Sequence, residues 1–139
     1  MGKNGAIGAV GVGCRFTPDE QSIFDGYILS DGHLEDCKGN SRLVMCQKHR
    51  LFIDYIKSSL QTIKWGKTKD IEIYDKRTKK TYGQSRSKSL SSVLMSKERK
   101  RWYPDGKKIV PRDIVLDDLC ILFWYLGDGC LCKKKDRPN

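Results

Sequence analysis

The sequence predicts an α+β fold, and three observations support this prediction. Segments with helical periodicity alternate with pairs of short strands, in the order helix, two strands, helix, two strands, helix. The residues that join each strand pair favour a turn. A second copy of the first helical segment then follows near the carboxyl end, which indicates an internal repeat.

We divide the chain of 139 residues into three parts. Residues 1–16 are rich in glycine, and we expect a flexible arm there because glycine loses the most backbone entropy on folding. Residues 17–111 form the first αββαββα unit and a connector. Residues 112–139 contain the second apolar helix and one strand, Cys130–Lys135, and therefore only the start of a second unit.

The first helix has clear signals at both ends. Thr17–Glu20 forms a capping box with proline at the first helical position. The helix ends at Asp31, because the following glycine stops it. Gly26 and Ser30 lie four residues apart on one face, where small side chains favour the close approach of a second helix.

The middle of the chain contains the remaining elements of the first unit. The strand Thr81–Ser89 is polar and basic on both faces, which indicates that one face is a binding surface. The predicted strands are His33–Cys37, Arg42–Gln47, Asp70–Asp75 and Thr81–Ser89, and the predicted helices are His49–Gln61 and Leu90–Arg101.

Positive charge is concentrated in this middle region. The formal net charge of the chain is +10, and residues 38–108 hold twenty Lys and Arg against six Asp and Glu. Such a cationic region favours a polyanionic partner. A solvated basic surface without a partner is the alternative explanation.

Six cysteines form no C-x-x-C pair, and the sequence shows no secretory signal or membrane-spanning run. We therefore expect free, mostly buried thiols and an intracellular protein that does not enter a membrane. An organelle, a bacterium and a phage all remain open as the origin of the protein.

Two apolar runs end in Asp-Gly, namely Phe24–Gly32 and Ile121–Gly129. Their aspartates, Asp31 and Asp128, are 97 residues apart, about the length expected for one repeated unit. If the two helices pack side by side, both carboxylates lie at one end of the helix pair. The repeat therefore predicts a metal site.

These two runs, together with the connector Arg101–Pro111, resemble the LAGLIDADG homing endonuclease family over residues 17–132. The likeness is to the two-motif subfamily of intron-encoded DNA endonucleases. It implies a saddle-shaped antiparallel sheet over the DNA major groove and metal-dependent hydrolysis of both DNA strands. The metal is normally Mg²⁺, which prefers oxygen ligands.

The resemblance also assigns candidate site residues. Asp31 and Asp128 are the expected metal ligands, with the backbone carbonyls of Ser30 and Gly127 as further candidates. The family uses a glutamine and a lysine near its site, and by position the candidates here are Gln47, Lys107 and Lys108.

Candidate DNA contacts fall in two groups. Gln84, Arg86 and Lys88 share one strand face and can read base edges. The lysines of the second hairpin are expected to hold phosphates, which gives position rather than sequence. The full candidate set is Arg42, Lys48, Lys76, Arg77, Lys79, Lys80, Gln84, Arg86 and Lys88.

Two other functions remain open at this point. One is an RNA-binding maturase that assists splicing of a group I intron, and the other is a catalytically inactive DNA-binding relative. A full two-unit protein is expected to be a monomer, whereas self-association is an expectation for this shorter chain.

Several residues receive structural interpretations. Asp25, Asp118 and the cluster Lys97–Arg101 are expected to be solvated. Trp102, Trp124 and Tyr125 are expected in the core. Leu122 and Phe123 stand where small residues are expected, which predicts a wider contact between the two helices at that point.

Overall fold

A computed structural model describes residues 15–128. The predicted order of helices and strands is confirmed. The elements are α1 (Pro18–Ser30), β1 (His33–Asp36), β2 (Ser41–Gln47), α2 (Arg50–Ser59), β3 (Lys69–Asp75), β4 (Lys80–Lys88), α3 (Val93–Trp102) and α4 (Asp118–Asp128).

Two predicted boundaries need correction. The third helix begins at Val93 rather than Leu90, because the side chain of Ser92 accepts a hydrogen bond from the backbone nitrogen of Met95 and caps the helix. Phe16, assigned above to the flexible arm, is buried, and its ring centre lies 4.9 Å from that of Phe24. The rest of the predicted arm and the predicted strand Cys130–Lys135 lie outside the described residues.

The four strands form one antiparallel sheet in the order β1-β2-β4-β3. Alternation along the strands gives the sheet two different faces. Leu34, Leu43 and Met45 are fully buried under the helices. Arg42 and Cys46, at the intervening positions of β2, lie on the opposite face, which we call the open face of the sheet.

The core lies between the sheet and the helices. Phe24, Tyr27 and Ile28 of α1 are fully buried, and Trp102 of α3 is 1% exposed. Burial of such side chains stabilises the fold by roughly 1.5–3 kcal/mol each. The expectation of a core position is therefore confirmed for Trp102.

The same expectation is wrong for Trp124 and Tyr125, which are 41% and 57% exposed. α4 is apolar on all sides, but among residues 15–128 its main partner is α1, which covers only one of its faces. Despite this apolar character, none of the described helices is long and apolar enough to cross a membrane.

The capping box of α1 also joins α1 to the loop after α2. Thr17 and Glu20 exchange backbone-to-side-chain hydrogen bonds of 2.9 and 3.2 Å. The Glu20 carboxylate in addition accepts hydrogen bonds from the backbone nitrogen and hydroxyl of Thr62, at 2.9 and 2.5 Å. Burial alone would raise the pKa of Glu20, but these hydrogen bonds lower it below the usual value of 4.5.

We expect Glu20→Gln to lower the free energy of unfolding by about 1–2 kcal/mol at neutral pH, because the charged acceptor of these hydrogen bonds is lost. A lowered folded-state pKa stabilises the protein above the unfolded pKa, and this contribution disappears as the pH falls through the folded pKa. Urea unfolding of the wild type and the variant should therefore converge in acid. A difference that stays constant between neutral and acidic pH would contradict this explanation.

Candidate active site

α1 and α4 approach each other closely through small residues at two points. A Cβ atom on Gly26 would lie 2.2 Å from the carbonyl oxygen of Cys120. A Cβ atom on Gly127 would lie 2.0 Å from the hydroxyl of Ser30. The prediction of a wider contact near Phe123 is wrong, because that side chain packs beside Gly26 and stacks on the ring of Tyr55 instead of separating the helices.

We expect Gly26→Ala to lower the free energy of unfolding by about 1–3 kcal/mol, because the added methyl group overlaps the backbone of α4. Gly83→Ala is the matched control, since no atom of the described residues lies within 4 Å of a Cβ atom at that strand position. Thermal or urea unfolding measures both variants. Equal stability of the two variants would contradict the close helix contact.

The contact places the carboxyl ends of α1 and α4 together. Asp31 caps the end of α1, and its backbone nitrogen donates to the carbonyl of Tyr27. The amide nitrogen of Gln47, at the end of β2, donates to the Asp31 carboxylate at 3.3 Å and to the Tyr27 hydroxyl at 3.0 Å. Because Tyr27 is fully buried, its hydroxyl is a fixed point for the Gln47 side chain. Gln47 therefore orients the Asp31 carboxylate.

The electrostatics link four of the predicted site residues. Burial raises the pKa of Asp31, and the negative charge of Asp128 raises it further, whereas Gln47 and Lys108 act in the opposite direction. Burial also lowers the pKa of Lys108, although Asp31 opposes that shift. The ammonium group of Lys108 donates to the carbonyl of Gly32 at 2.9 Å.

The donor set suits a hard divalent cation. Asp31 and Asp128 repel each other at the paired helix ends, and a divalent cation between them would relieve that repulsion. Within residues 15–128 no group of three or more His, Cys, Asp or Glu side chains is placed to hold a metal ion. Water, phosphate and backbone oxygens such as those of Ser30 and Gly127 would therefore have to complete the coordination shell.

The two candidate lysines differ. Lys108 reaches the end of α1, as described above. Lys107 is exposed and makes no hydrogen bond or ion pair with the residues that the structure describes. The structure therefore brings Gln47 and Lys108 to Asp31 and leaves Lys107 at the surface.

The predicted base-reading residues are placed on the open face of the sheet. Arg86 lies opposite Cys46 of β2 on one side and Lys69 of β3 on the other. Gln84 and Lys88 alternate with the buried serines of β4, and the Gln84 side-chain oxygen accepts from the Cys46 thiol at 2.9 Å. Lys69 was not among the sequence candidates, because the predicted strand began one residue later.

The remaining candidates surround this face. Arg42 is ion-paired with Glu35 of the neighbouring strand, and its Nε donates to the carboxylate at 2.6 Å. The exposed cations of the β3–β4 turn and the end of β2 extend the positive surface. They are Lys48, Lys76, Arg77, Lys79 and Lys80.

Asp25 is not solvated, contrary to the sequence expectation. It is 3% exposed and receives two hydrogen bonds from the Arg101 guanidinium, at 2.7 and 3.0 Å. Arg101 also donates to Glu98 at 3.0 Å and to Asp113 at 2.8 Å. The expectation of a solvated side chain is therefore wrong for Arg101, which joins α3 to α1. Asp118 is exposed, as expected.

Comparison with known proteins agrees with this fold. The sequence profile of the LAGLIDADG DNA endonuclease family matches residues 21–137. The chain belongs to this family.

Two similar proteins give the extent of the match. The uncharacterized protein MJ1098 of Methanocaldococcus jannaschii is 33% identical over 124 residues, which cover 88% of this chain and 48% of that protein. A solved structure of the homing endonuclease I-WcaI bound to its DNA recognition sequence matches with a TM-score of 0.70 and 18% identity, over 91% of this chain and 58% of that chain. The chain thus spans about half the length of the relatives it matches.

Proposed function

We propose that this protein is a site-specific endonuclease that hydrolyses both strands of DNA with a divalent metal, Mg²⁺, and serves intron mobility. The observation that carries the proposal is the placement of Asp31 and Asp128 at the adjoining ends of α1 and α4, where their charges interact. The sheet presents Arg86 and its neighbours on an open face beside this site. Family membership supports the same function.

In the proposed mechanism Asp31 and Asp128, with the carbonyls of Ser30 and Gly127, would hold the metal. The bound metal would stabilise negative charge on the phosphate and lower the pKa of the attacking water. Gln47 fixes the orientation of the Asp31 carboxylate through its second hydrogen bond to Tyr27. Lys108 supplies a positive charge near Asp31, which favours the approach of a phosphate.

DNA recognition is proposed to use the open face of the sheet. We propose that Gln84, Arg86 and Lys88 contact base edges, because Gln and Arg side chains offer donors that major-groove acceptors can bind. The exposed cations of the β3–β4 turn would contact phosphates of the same duplex and so fix its position.

The experiment is selection of cleaved products from a plasmid library with randomised inserts. We expect nicked or linear products that share one sequence, that form with Mg²⁺ and that do not form with EDTA. Products without a shared sequence would contradict site specificity, and cutting in EDTA would contradict the metal. Sequence-specific binding without cutting would support the catalytically inactive relative instead.

A further inference from the structure

A second cationic surface lies away from the candidate active site. It is a cleft of about 620 Å³ between α3 and the turn that joins β1 to β2. We call it the α3 cleft. Its charged lining residues are Lys97, Arg99, Lys100 and Asp36.

The α3 cleft is on the helical side of the sheet. α3 packs against β1 and β2 through Leu94 and Met95, which are 5% and 0% exposed. Arg86 and the other candidate base-reading residues lie on the opposite, open face. A straight duplex on the open face therefore cannot fill the α3 cleft as well.

The cations of the α3 cleft form no ion pair within residues 15–128. Lys97 and Lys100 are exposed, share one face of α3, and have no hydrogen bond or ion pair with any residue in the described part of the chain. Among the described residues, Asp36 is the single carboxylate that lines the cleft. Lys97 and Lys100 differ in this respect from the next residue, Arg101, whose guanidinium donates hydrogen bonds to carboxylates.

Arg99 is held in place without being neutralised. Its Nε donates to the carbonyl of Leu34 at 3.3 Å, and its guanidinium carbon lies 5.0 Å from the centre of the Tyr103 ring. Within residues 15–128 its two terminal nitrogens have no protein partner. A guanidinium held in this way loses little entropy when it binds an oxyanion. The helix dipole favours basic residues in the last turn of α3, but it does not account for Lys97, which lies a turn earlier.

We propose that the α3 cleft binds the phosphodiester backbone of a nucleic-acid strand other than the duplex segment on the open face. Three cations spaced along one cleft suit a ligand with regularly repeated negative charges, and a cleft of this size admits at least one nucleotide. The strand has two sources, a flank of the same DNA that bends around the β1 edge or a separate RNA. The proposal goes beyond the cleavage function and does not require cleavage.

The test compares Lys97→Gln/Lys100→Gln with the matched control Lys64→Gln/Lys67→Gln. The control pair loses the same charge at exposed lysines outside the α3 cleft. Fluorescence anisotropy in EDTA measures binding of the full chain to a short duplex of about 15 bp, a long duplex of about 60 bp and a structured RNA of about 60 nucleotides. Unfolding curves verify that both variants fold.

We expect the α3 cleft variant to bind the long duplex or the RNA at least about fivefold more weakly, with a salt dependence reduced by about two phosphate contacts. The short duplex should be unaffected, and the control should change each affinity by less than about twofold. Weaker binding of the long duplex identifies flanking DNA as the source of the strand, and weaker binding of the RNA identifies a separate RNA strand.

Three results of this binding experiment would overturn the proposal. The first is unchanged affinity of the α3 cleft variant for the long duplex and for the RNA. The second is an equal loss of affinity in the control variant. The third is an equal loss of affinity for the short duplex. Displacement of the nucleic acid from the α3 cleft by polyglutamate as effectively as by RNA would also overturn it, because the cleft would then select charge and not phosphodiester. Cleavage at Asp31 is not measured, so this proposal and the endonuclease proposal fail independently.

Discussion

Asp31→Asn is expected to slow DNA cleavage by about 10²–10⁴-fold while DNA affinity in EDTA changes by less than about threefold. The amide has the size of the carboxylate and can still accept the hydrogen bond from Gln47, so the local geometry is preserved. What is lost is the negative charge that would hold the metal. Single-turnover cleavage of the selected DNA site in Mg²⁺ measures the effect.

Asp105→Asn is the matched control for this prediction. Asp105 is an exposed aspartate in the turn after α3 that is not among the candidate metal ligands, and the same change there removes one negative charge. We expect cleavage by this variant within about twofold of the wild type. Asp31→Asn that cuts as fast as Asp105→Asn would show that Asp31 does not hold the catalytic metal.

Arg101→Met is expected to lower the free energy of unfolding by about 3–5 kcal/mol. The change leaves the carboxylates of Asp25 and Glu98, which are 3% and 7% exposed, without their cation. An uncompensated buried charge is far more costly than a lost surface ion pair. Burial already raises the pKa of Glu98, and the nearby charge of Asp25 raises it too while Arg101 opposes the shift.

Two further variants test the cause of this destabilisation. Arg112→Met removes an exposed arginine and is expected to change stability by less than about 0.5 kcal/mol. Adding Asp25→Asn and Glu98→Gln to Arg101→Met removes the uncompensated charges and should recover most of the loss. A loss below about 1 kcal/mol for Arg101→Met, or no recovery in the triple variant, would contradict a buried ion cluster.

The placement of Asp31 and Asp128 could be predicted because the chain repeats an apolar helix with the same ending. Each end has a local signal, and the small residue Gly26 indicates that the helices pack closely. The choice between Lys107 and Lys108 had no such signal. It depends on how the connector returns to the core, where the backbone nitrogen of Ile109 donates to the carbonyl of Trp102 at 2.8 Å.

Long-range polar contacts were the least predictable feature. Asp25 and Arg101 are 76 residues apart, and each alone is typical of a solvated helix surface. Trp124 and Tyr125 show the opposite case. Their apolar character predicts burial, but among the described residues only one side of α4 receives cover. In both cases the partner element, rather than the local sequence, decides the environment.

The central claim is that the ends of α1 and α4 form one divalent-metal site. Titration of the ¹⁵N-labelled protein with Mn²⁺ tests it most directly, because this paramagnetic ion accepts the same oxygen ligands as Mg²⁺ and broadens nearby amide signals. We predict broadening at Asp31, Gly32 and Asp128 that is lost in Asp31→Asn and kept in Asp105→Asn. Broadening centred elsewhere, or broadening at these residues that survives Asp31→Asn, would contradict the claim.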